Sequence, residues 1–416
     1  MAQKSGRSAP SASYKLIALK VTGTPQYTEK EILPAAGLQL GQSVTEADFK
    51  EAVRRLGDSG LFADIAYSFS FSSAGMKLEL QLTDADPRQL VPAHFENFVW
   101  FTDAELEREL QTRVPLFKQQ LPLGGAMADR VEAGLQALLD EKQIPGRVDY
   151  IRESDPGDDM MTGIAFSVEA MQIRIKELDF PGATPDLIPG LNKAARKVIG
   201  SAYLRSPLGR VAEVEFVPVC WKLGYLKAKF ERATARVLSQ EEGEVQVAAV
   251  VPVAPGKVYS ASGVAWGGNK VLKTDELQNA LHLPTGQPVD GVRLHEDLRE
   301  VEKLYHTKGY MLARVKPTAA FDDDHSTVAY TLSIDEGEQF KMGELEIVGL
   351  DSQAKTHLQT EWKMAEGDPY NGEYAKQFLE KATQFLPRGV PWSTTIHEAV
   401  NEKDKTVDIT LRFTAR

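Results

Sequence analysis

Cysteine is almost absent from this chain: Cys220 is the only one among 416 residues. One cysteine excludes an internal disulfide framework and a zinc site made of several thiolates. Because Cys220 lies in the apolar stretch 217–223, we expect it to be a small buried thiol. The seven histidines include no closely spaced pair, so the sequence offers no His-His metal motif.

Long apolar runs are missing as well. No segment approaches the roughly 20 apolar residues of a transmembrane helix, and no strand-like segment has the regularity of a barrel wall. We therefore expect no direct membrane insertion. Residues 1–13 are small and polar, without the apolar core of a signal peptide, which predicts a disordered lead. A cytoplasmic protein and a secreted protein whose signal has been removed both fit this pattern.

Positive charge is in deficit, because 48 Lys and Arg residues face 59 Asp and Glu residues and give a net charge of -11. Binding to phosphates needs a clustered basic face, so we expect neither nucleic acid nor an anionic membrane surface as a partner. The sequence also lacks a Gly-x-Ser-x-Gly nucleophile elbow. We assign no catalytic residue, metal ligand or cofactor, and a non-enzymatic protein is the favoured interpretation.

The chain does contain a repeat. A glycine followed by an aromatic or apolar pair recurs at Gly60-Leu61-Phe62, Gly224-Tyr225-Leu226 and Gly309-Tyr310-Met311. The last two are about 85 residues apart and the first two about twice as far, which predicts a degenerate copy between them. The helix-like stretch Met127–Gln143, followed by the strand-like stretch Arg147–Ile151, fits that copy.

A fifth copy follows Gly349, with Pro387–Pro391 at the equivalent point. A chain of this length exceeds one hydrophobic core, and we interpret it as five repeats after the lead. The predicted boundaries are 1–13 for the lead, then 14–86, 87–170, 171–255, 256–338 and 339–416 for repeats 1 to 5.

Repeat 1 shows the internal order most clearly. Tyr14–Val21 is strand-like, and Thr28 with Glu31 forms a capping box that starts a helix. Phe49, Val53 and Leu56 then share one face of a second helix, and Met76–Leu82 alternates strictly between apolar and polar residues. The order strand, helix, helix, strand, strand predicts an α+β fold, in which two helices cover one face of a three-stranded mixed sheet.

This order resembles the POTRA domain, the module that stands in series before the barrel of the Omp85 outer-membrane assembly family. The resemblance covers roughly residues 14 to 416. It rests on strand ends at Val21-Thr22-Gly23 and Ile347-Val348-Gly349, on loop glycines Gly41, Gly286 and Gly367, on Gly224-Tyr225 and Gly309-Tyr310, and on Asp335-Glu336-Gly337.

The resemblance implies a periplasmic protein associated with the outer membrane, which binds extended outer-membrane protein segments in assembly or polypeptide translocation. Its further implied partners are a barrel domain and accessory assembly proteins. The chain is then either the periplasmic portion of such a protein or a free-standing relative without the barrel. The alternatives are a general interaction or structural protein of the cell envelope and, less favoured, a hydrolase with an unrecognised site.

The implied binding surface is a sheet edge that accepts a client strand. In repeat 3 the predicted edge strand consists of Leu226, Lys227, Ala228, Lys229, Phe230 and Glu231. Leu226, Ala228 and Phe230 alternate with charged residues, which equally fits a simple edge protected by lysines. Pro317 lacks an amide donor and is expected to weaken strand addition in repeat 4.

Two further clusters are interpreted as turns. Asp322-Asp323-Asp324-His325 lacks the spacing and glycine of a calcium loop and predicts a solvated hairpin turn. The glycine-rich stretch Gly263–Asn269 lacks the lysine of a phosphate loop and is also predicted to be a turn.

Overall fold

The computed structural model describes residues 13–155, 157, 160–241, 243–382 and 391–415. They divide into two compact units. The first takes its residues from 1–181, 192–212 and 230–252, and the second from 182–191, 213–229 and 253–416. In the described part of the chain, no helix is long and apolar enough to cross a membrane.

The helices and strands follow the predicted order in each repeat. Repeat 1 contains β1 (Tyr14–Thr22), α1 (Glu29–Ala35), β2 (Ser43–Val44), α2 (Glu46–Gly57), β3 (Phe62–Ser72) and β4 (Gly75–Asp84). Repeat 2 contains β5 (Leu90–Phe95), α3 (Asp103–Arg113), β6 (Gln120–Pro122), α4 (Met127–Glu141), β7 (Arg147–Ser154) and β8 (Met161–Glu169).

Repeat 3 has a more broken helical part. Its elements are β9 (Gln172–Asp179), α5 (Ile188–Ala195), α6 (Arg205–Val211), a π-helical turn (Ala212–Phe216), α7 (Val217–Lys222), β10 (Lys229–Phe230), β11 (Thr234–Glu241), β12 (Glu244–Val250) and β13 (Val253–Ala254).

Repeats 4 and 5 return to the simpler order. Repeat 4 contains β14 (Ser260–Gly267), α8 (Thr274–Ala280), α9 (Gly291–His306), β15 (Arg314–Asp322) and β16 (Thr327–Asp335). Repeat 5 contains β17 (Lys341–Val348), α10 (Ser352–Glu361), α11 (Tyr374–Ala382), β18 (Trp392–Asn401) and β19 (Thr406–Ala415).

Five sheets share one topology. In each, a central strand runs parallel to the first strand of the repeat and pairs antiparallel with the strand that precedes it in the chain. The central strands are β4, β8, β12, β16 and β19, and the strand before each lies at one edge. The strand orders are β2-β1-β4-β3, β6-β5-β8-β7, β9-β12-β11, β14-β16-β15 and β17-β19-β18. This arrangement confirms the predicted α+β class and fits five repeats.

The local signals that set the helices are visible in the hydrogen bonds. Glu31 accepts from the Thr28 amide at 2.7 Å, and Glu105 and Thr102 satisfy each other's amides at the start of α3. The apolar face of the helix then packs on the sheet: Phe49 and Leu56 of α2 are buried against the sheet of repeat 1. One buried cluster runs from Leu16 to Val168, so repeats 1 and 2 share a continuous core.

Two turn predictions had different outcomes. Residues 323–326 are a turn, and Asp322 accepts hydrogen bonds from the amides of Asp324 and His325 at 3.0 Å each, as a solvated hairpin turn requires. The prediction of a turn at Gly263–Asn269 was wrong for its first five residues, which belong to β14. Pairing with β16 overrides the glycine signal there, beyond a bulge between Ala261 and Gly263. The proline-rich stretch Pro387–Pro391 lies outside the described residues except for Pro391.

Candidate peptide-binding edges

The edge strand predicted for repeat 3 is not where the sequence pattern placed it. Residues 226–228 belong to a turn, and only Lys229 and Phe230 are extended, in the two-residue β10. Gly224 ends α7 with φ of 87°, and the Ala228 amide then donates to the Tyr225 carbonyl at 3.2 Å. The Glu231 amide already donates to the Pro252 carbonyl at 2.9 Å. Part of the backbone of residues 226–231 is therefore not available to an added strand.

Lys227 holds the turn against repeat 4. Its ammonium lies 2.6 Å from Asp323 and 4.5 Å from the centre of the Phe321 ring. Asp323 also accepts a hydrogen bond from the Tyr259 hydroxyl at 2.5 Å. The hydrogen bonds from Lys227 and Tyr259 hold the pKa of Asp323 below its usual value, which keeps the ion pair charged. Lys227 of the predicted edge strand therefore marks a contact between two repeats.

The same turn recurs between repeats 4 and 5. The Tyr259 amide donates to the Gly224 carbonyl at 2.9 Å, and the Phe340 amide donates to the Gly309 carbonyl at 2.7 Å. Both glycines have φ of 87°, a backbone conformation that side chains of L-residues disfavour. We call these turns, residues 224–228 and 309–313, the Gly-Tyr joints. The recurring Gly-Tyr pair is thus explained by the connection of successive repeats within the second compact unit.

The edge strand of the repeat 3 sheet is β11, residues Thr234–Glu241, paired on one side with β12. It begins eight residues after the Tyr225–Leu226 pair, and a bulge between Val237 and Ser239 interrupts its pairing. Gln240 near its end accepts a hydrogen bond from the Trp100 indole at 2.8 Å. A bulge and a bound side chain both make an edge less available to an added strand.

Three other edge strands have their own obstacles. β7 carries four charged residues among its eight, and β15 carries three charges together with Pro317 as the fourth of its nine residues. β18 has few charges, yet its Glu398 is held by the Tyr370 hydroxyl at 2.7 Å. Charges and proline are the devices with which natural sheets block pairing at an edge.

The edge strand β3 lacks these devices over most of its length. It spans eleven residues, and Asp64 is its only charged one. From Asp64 to Ser72 every second residue is small or acidic and exposed, and the Ser residues at 68, 70 and 72 carry no charge. Its bulge lies at the very start, between Phe62 and Asp64. With eleven residues β3 is the longest edge strand in the described part of the chain, and Asp64 and the bulge at its start are the devices that protect it.

The opposite face of β3 carries aromatic rings that α2 covers only in part. Phe49 of α2 lies 6.4 Å from the Tyr67 ring and 5.8 Å from the Phe69 ring, measured between centroids. Phe69 and Phe71 are 5.6 Å apart and remain 38% and 56% exposed. Tyr14 of β1 packs edge-on against Phe71 at 4.7 Å. We call Tyr14, Tyr67, Phe69 and Phe71 the aromatic row. Exposed aromatic rings beside an open strand edge provide contacts for the side chains of an added strand.

The sequence contains the signal for this edge, because residues 65–72 alternate aromatic or apolar residues with alanine and serine. The lysine-bearing segment after Gly224 shows a similar but shorter alternation and was predicted as the edge instead. Among the described residues, no group of three or more His, Cys, Asp or Glu side chains is placed to hold a metal ion.

Comparison with known proteins identifies one repeat directly. A family model described as POTRA, surface antigen variable number repeat, matches residues 259–337, which is repeat 4. Those residues form a POTRA domain, and the resemblance to POTRA modules is confirmed.

Solved structures of similar chains include POTRA domains 3–5 of BamA from Haemophilus influenzae, with 18% identity and a TM-score of 0.42 over 58% of this chain and 95% of that one. The N-terminal domain of Omp85 from Thermosynechococcus elongatus has 19% identity and a TM-score of 0.25, covering 58% and 97%. POTRA domains 1–3 of Omp85 from Anabaena have 13% identity and a TM-score of 0.19, covering 79% and 98%.

Proposed function

We propose that this chain is a non-enzymatic periplasmic scaffold that binds extended outer-membrane protein segments by strand addition, in outer-membrane protein assembly or polypeptide translocation. The POTRA match of repeat 4 supports a role in outer-membrane protein assembly or polypeptide translocation. The observation that carries the binding mode is the open edge of β3, with eleven residues, one charge and a partly exposed aromatic row.

An added strand would lie beside β3 and use its outward-facing backbone groups. Backbone hydrogen bonds are the same for every client sequence. The part of the binding affinity that comes from them would therefore not depend on the sequence of the client. Selectivity would come from alternate client side chains that reach Tyr67, Phe69 and Phe71. Strands of outer-membrane proteins alternate in this manner and are rich in aromatic residues at their ends.

In repeat 3 we propose β11, and not residues 226–231, as a second and weaker edge for strand addition. Leu226 and Lys227 then serve the joint to repeat 4, where Lys227 already has its acidic partner. A barrel domain and accessory assembly proteins are the further partners that this role calls for, at the periplasmic face of the outer membrane.

A peptide-binding experiment tests the site. A fluorescent peptide of about ten residues, alternating aromatic residues with serine and threonine, is titrated with the purified chain and followed by anisotropy. Phe71→Ser should weaken binding roughly two- to tenfold, because one aromatic contact between paired strands contributes about 0.5–1.5 kcal/mol. Ile151→Ser is the matched control: Ile151 is 67% exposed on the charged edge strand β7, and its loss should leave binding unchanged. Equal effects of the two substitutions would remove β3 as the site.

A cellular experiment tests the client class. A photo-crosslinking residue placed at Ser70 on β3 should capture outer-membrane proteins during their assembly, whereas the same residue at Ser154 on β7 should not. Capture that is equal at both positions, or that never includes outer-membrane proteins, would contradict the proposal.

A second candidate, a structural protein of the cell envelope that binds no clients, is favoured by one observation. Each of the five hairpin edges carries at least one charge, proline, bulge or occupied side chain, and the Gly-Tyr joints connect successive repeats. The two candidates differ in the peptide titration, since the structural protein predicts no saturable binding at any edge.

A further inference from the structure

A cavity of about 570 Å³ lies in the first compact unit, where repeats 1 and 2 meet. Its walls come from the end of α1 and from α2, and from the end of α3, the loop after it and α4. The two repeats share one continuous buried core around it, so both walls belong to one packed body. The volume falls within the range of about 300–1,000 Å³ that is usual for small-molecule sites.

Three arginines line the cavity: Arg55 from α2, Arg113 from α3 and Arg130 from α4. No acidic residue is among the lining residues in the described part of the chain. Such a concentration of positive charge stands out in a chain with a net charge of -11. A cavity of this kind attracts a ligand that carries negative charge.

The three guanidinium groups differ in how far they are already satisfied. Arg113 is held by Glu109 and Glu141, and the Arg55 Nε donates to Glu51 at 3.0 Å. Arg130 donates to the Arg55 carbonyl at 2.9 Å, and among the described residues no ion pair of Arg130 is found. Its charge is thus the least compensated of the three. An anion in the cavity would give it the bidentate partner for which a guanidinium is shaped.

The rest of the lining is small and apolar. Ala133, Gly134 and Ala137 present little side-chain bulk along α4, and Met127 and Leu116 close the wall around them. Ala133 and Ala137 are exposed and leave an open groove beside α4, whereas Gly134 between them is buried and a Cβ built on it would lie 3.0 Å from the Val114 side chain. Methionine adapts its shape to an apolar ligand.

We propose that this cavity binds a single-chain anionic amphiphile, with its carboxylate or phosphate head at Arg130 and Arg55 and its alkyl chain along the small residues of α4. The arginines that line the cavity would bind the charged head of such a molecule, and the apolar lining residues would contact its alkyl chain. A peptide strand would need an open sheet edge, which this cavity of helices and loops does not provide. The site is separate from the β3 edge and does not depend on client binding there.

The test uses the whole purified chain and calorimetric titration with dodecanoate and with dodecyl phosphate, each below the concentration at which it forms micelles. Saturable binding by either compound supports the site and identifies the head group. Acetate has no alkyl chain and dodecyl maltoside has no charge, so both should bind at least about tenfold more weakly, which corresponds to about 1.4 kcal/mol. Binding should also weaken with rising salt, because the head group is attracted by partly exposed charges.

Two variants separate the two halves of the site. Arg130→Gln should weaken binding of the anionic compounds about tenfold and leave dodecyl maltoside unaffected, whereas Arg152→Gln on β7, outside the cavity, should change neither. Ala133→Leu places a larger side chain in the groove beside α4 and should weaken binding of the alkyl chain at least about tenfold, which corresponds to about 1.4 kcal/mol, with circular dichroism as the check on folding. If Ala133→Leu does not fold, the affinity of Arg130→Gln for the anionic compounds is the test of the site.

Absence of saturable binding, equal binding of neutral and anionic amphiphiles, or an unchanged affinity in Arg130→Gln would overturn the proposal. Saturable binding of a peptide with a free carboxyl terminus, when neither alkyl anion binds, would also overturn it.

Discussion

Substitution of Gly309 by alanine probes the Gly-Tyr joint between repeats 4 and 5. Gly309 has φ of 87°, and a Cβ built on it would lie 2.7 Å from the Phe340 carbonyl oxygen and 3.2 Å from that of Tyr370. The Gly309 carbonyl accepts the Phe340 amide at 2.7 Å. Alanine therefore meets both an unfavourable backbone conformation and the backbone of the next repeat.

Two contributions to the loss of stability can be separated with a control. The left-handed conformation alone costs a non-glycine residue about 1–2 kcal/mol. Gly286 has φ of 78°, and a Cβ there would meet nothing within 4 Å, so Gly286→Ala reports that contribution by itself. Gly309→Ala must in addition shift the joint and weaken the Phe340 hydrogen bond, which adds about 0.5–1.5 kcal/mol.

Hydrogen exchange measures this difference at the joint itself. The whole chain contains several repeats, so a single two-state unfolding free energy is not well defined, and exchange of the peptide containing Phe340 is the better observable. Exchange there should accelerate at least about fivefold more in Gly309→Ala than in Gly286→Ala, the equivalent of about 1 kcal/mol. Equal exchange of the Phe340 peptide in the two variants would refute the assignment of Gly309 to an inter-repeat joint.

Three further outcomes are expected. Asp103→Asn leaves Arg205, which is 7% exposed, without its carboxylate partner at 2.5 Å, and should accelerate hydrogen exchange of the peptide containing Arg205 roughly five- to thirtyfold, the equivalent of about 1–2 kcal/mol; unchanged exchange there would contradict this. Burial lowers the pKa of His306 below 6.5, so the unfolded chain binds the proton more readily and stability should fall as pH drops below about 6.5; His306→Gln should reduce that dependence in thermal unfolding. The charged groups around this histidine are Glu302, Arg314, Glu373 and Glu398. Burial raises the pKa of the Cys220 thiol to about 11, so a thiol reagent at pH 7.5 should label it only in denaturant, and rapid labelling of the folded chain would contradict its burial.

The sequence was sufficient for the fold wherever a periodic pattern extended over several residues. The alternation of Met76–Leu82 predicted a half-buried strand, and the structure has it as the centre of the first sheet. Phe49 and Leu56 of the predicted helical stripe are buried in α2, as their spacing predicts. Such patterns succeed because one buried face fixes the period of the whole element.

The candidate sites were harder to predict, for a physical reason. Residues 226–228 alternate like a strand, but the alternation arises because Lys227 faces Asp323 of the next repeat while its neighbours are partly buried. Three residues cannot distinguish a strand from a turn by period alone. The arginine-lined cavity could not be predicted either, since Arg55, Arg113 and Arg130 come from three helices whose packing no local pattern specifies.

Amide exchange along β3 tests the central claim most directly. With a client peptide of an outer-membrane strand present, the outward-facing amides of residues 64–72 should gain protection at every second position, because only those amides can bond to an added strand. The amides already paired with β4 should change little. Saturable peptide binding without this alternate protection on β3 would contradict strand addition at that edge.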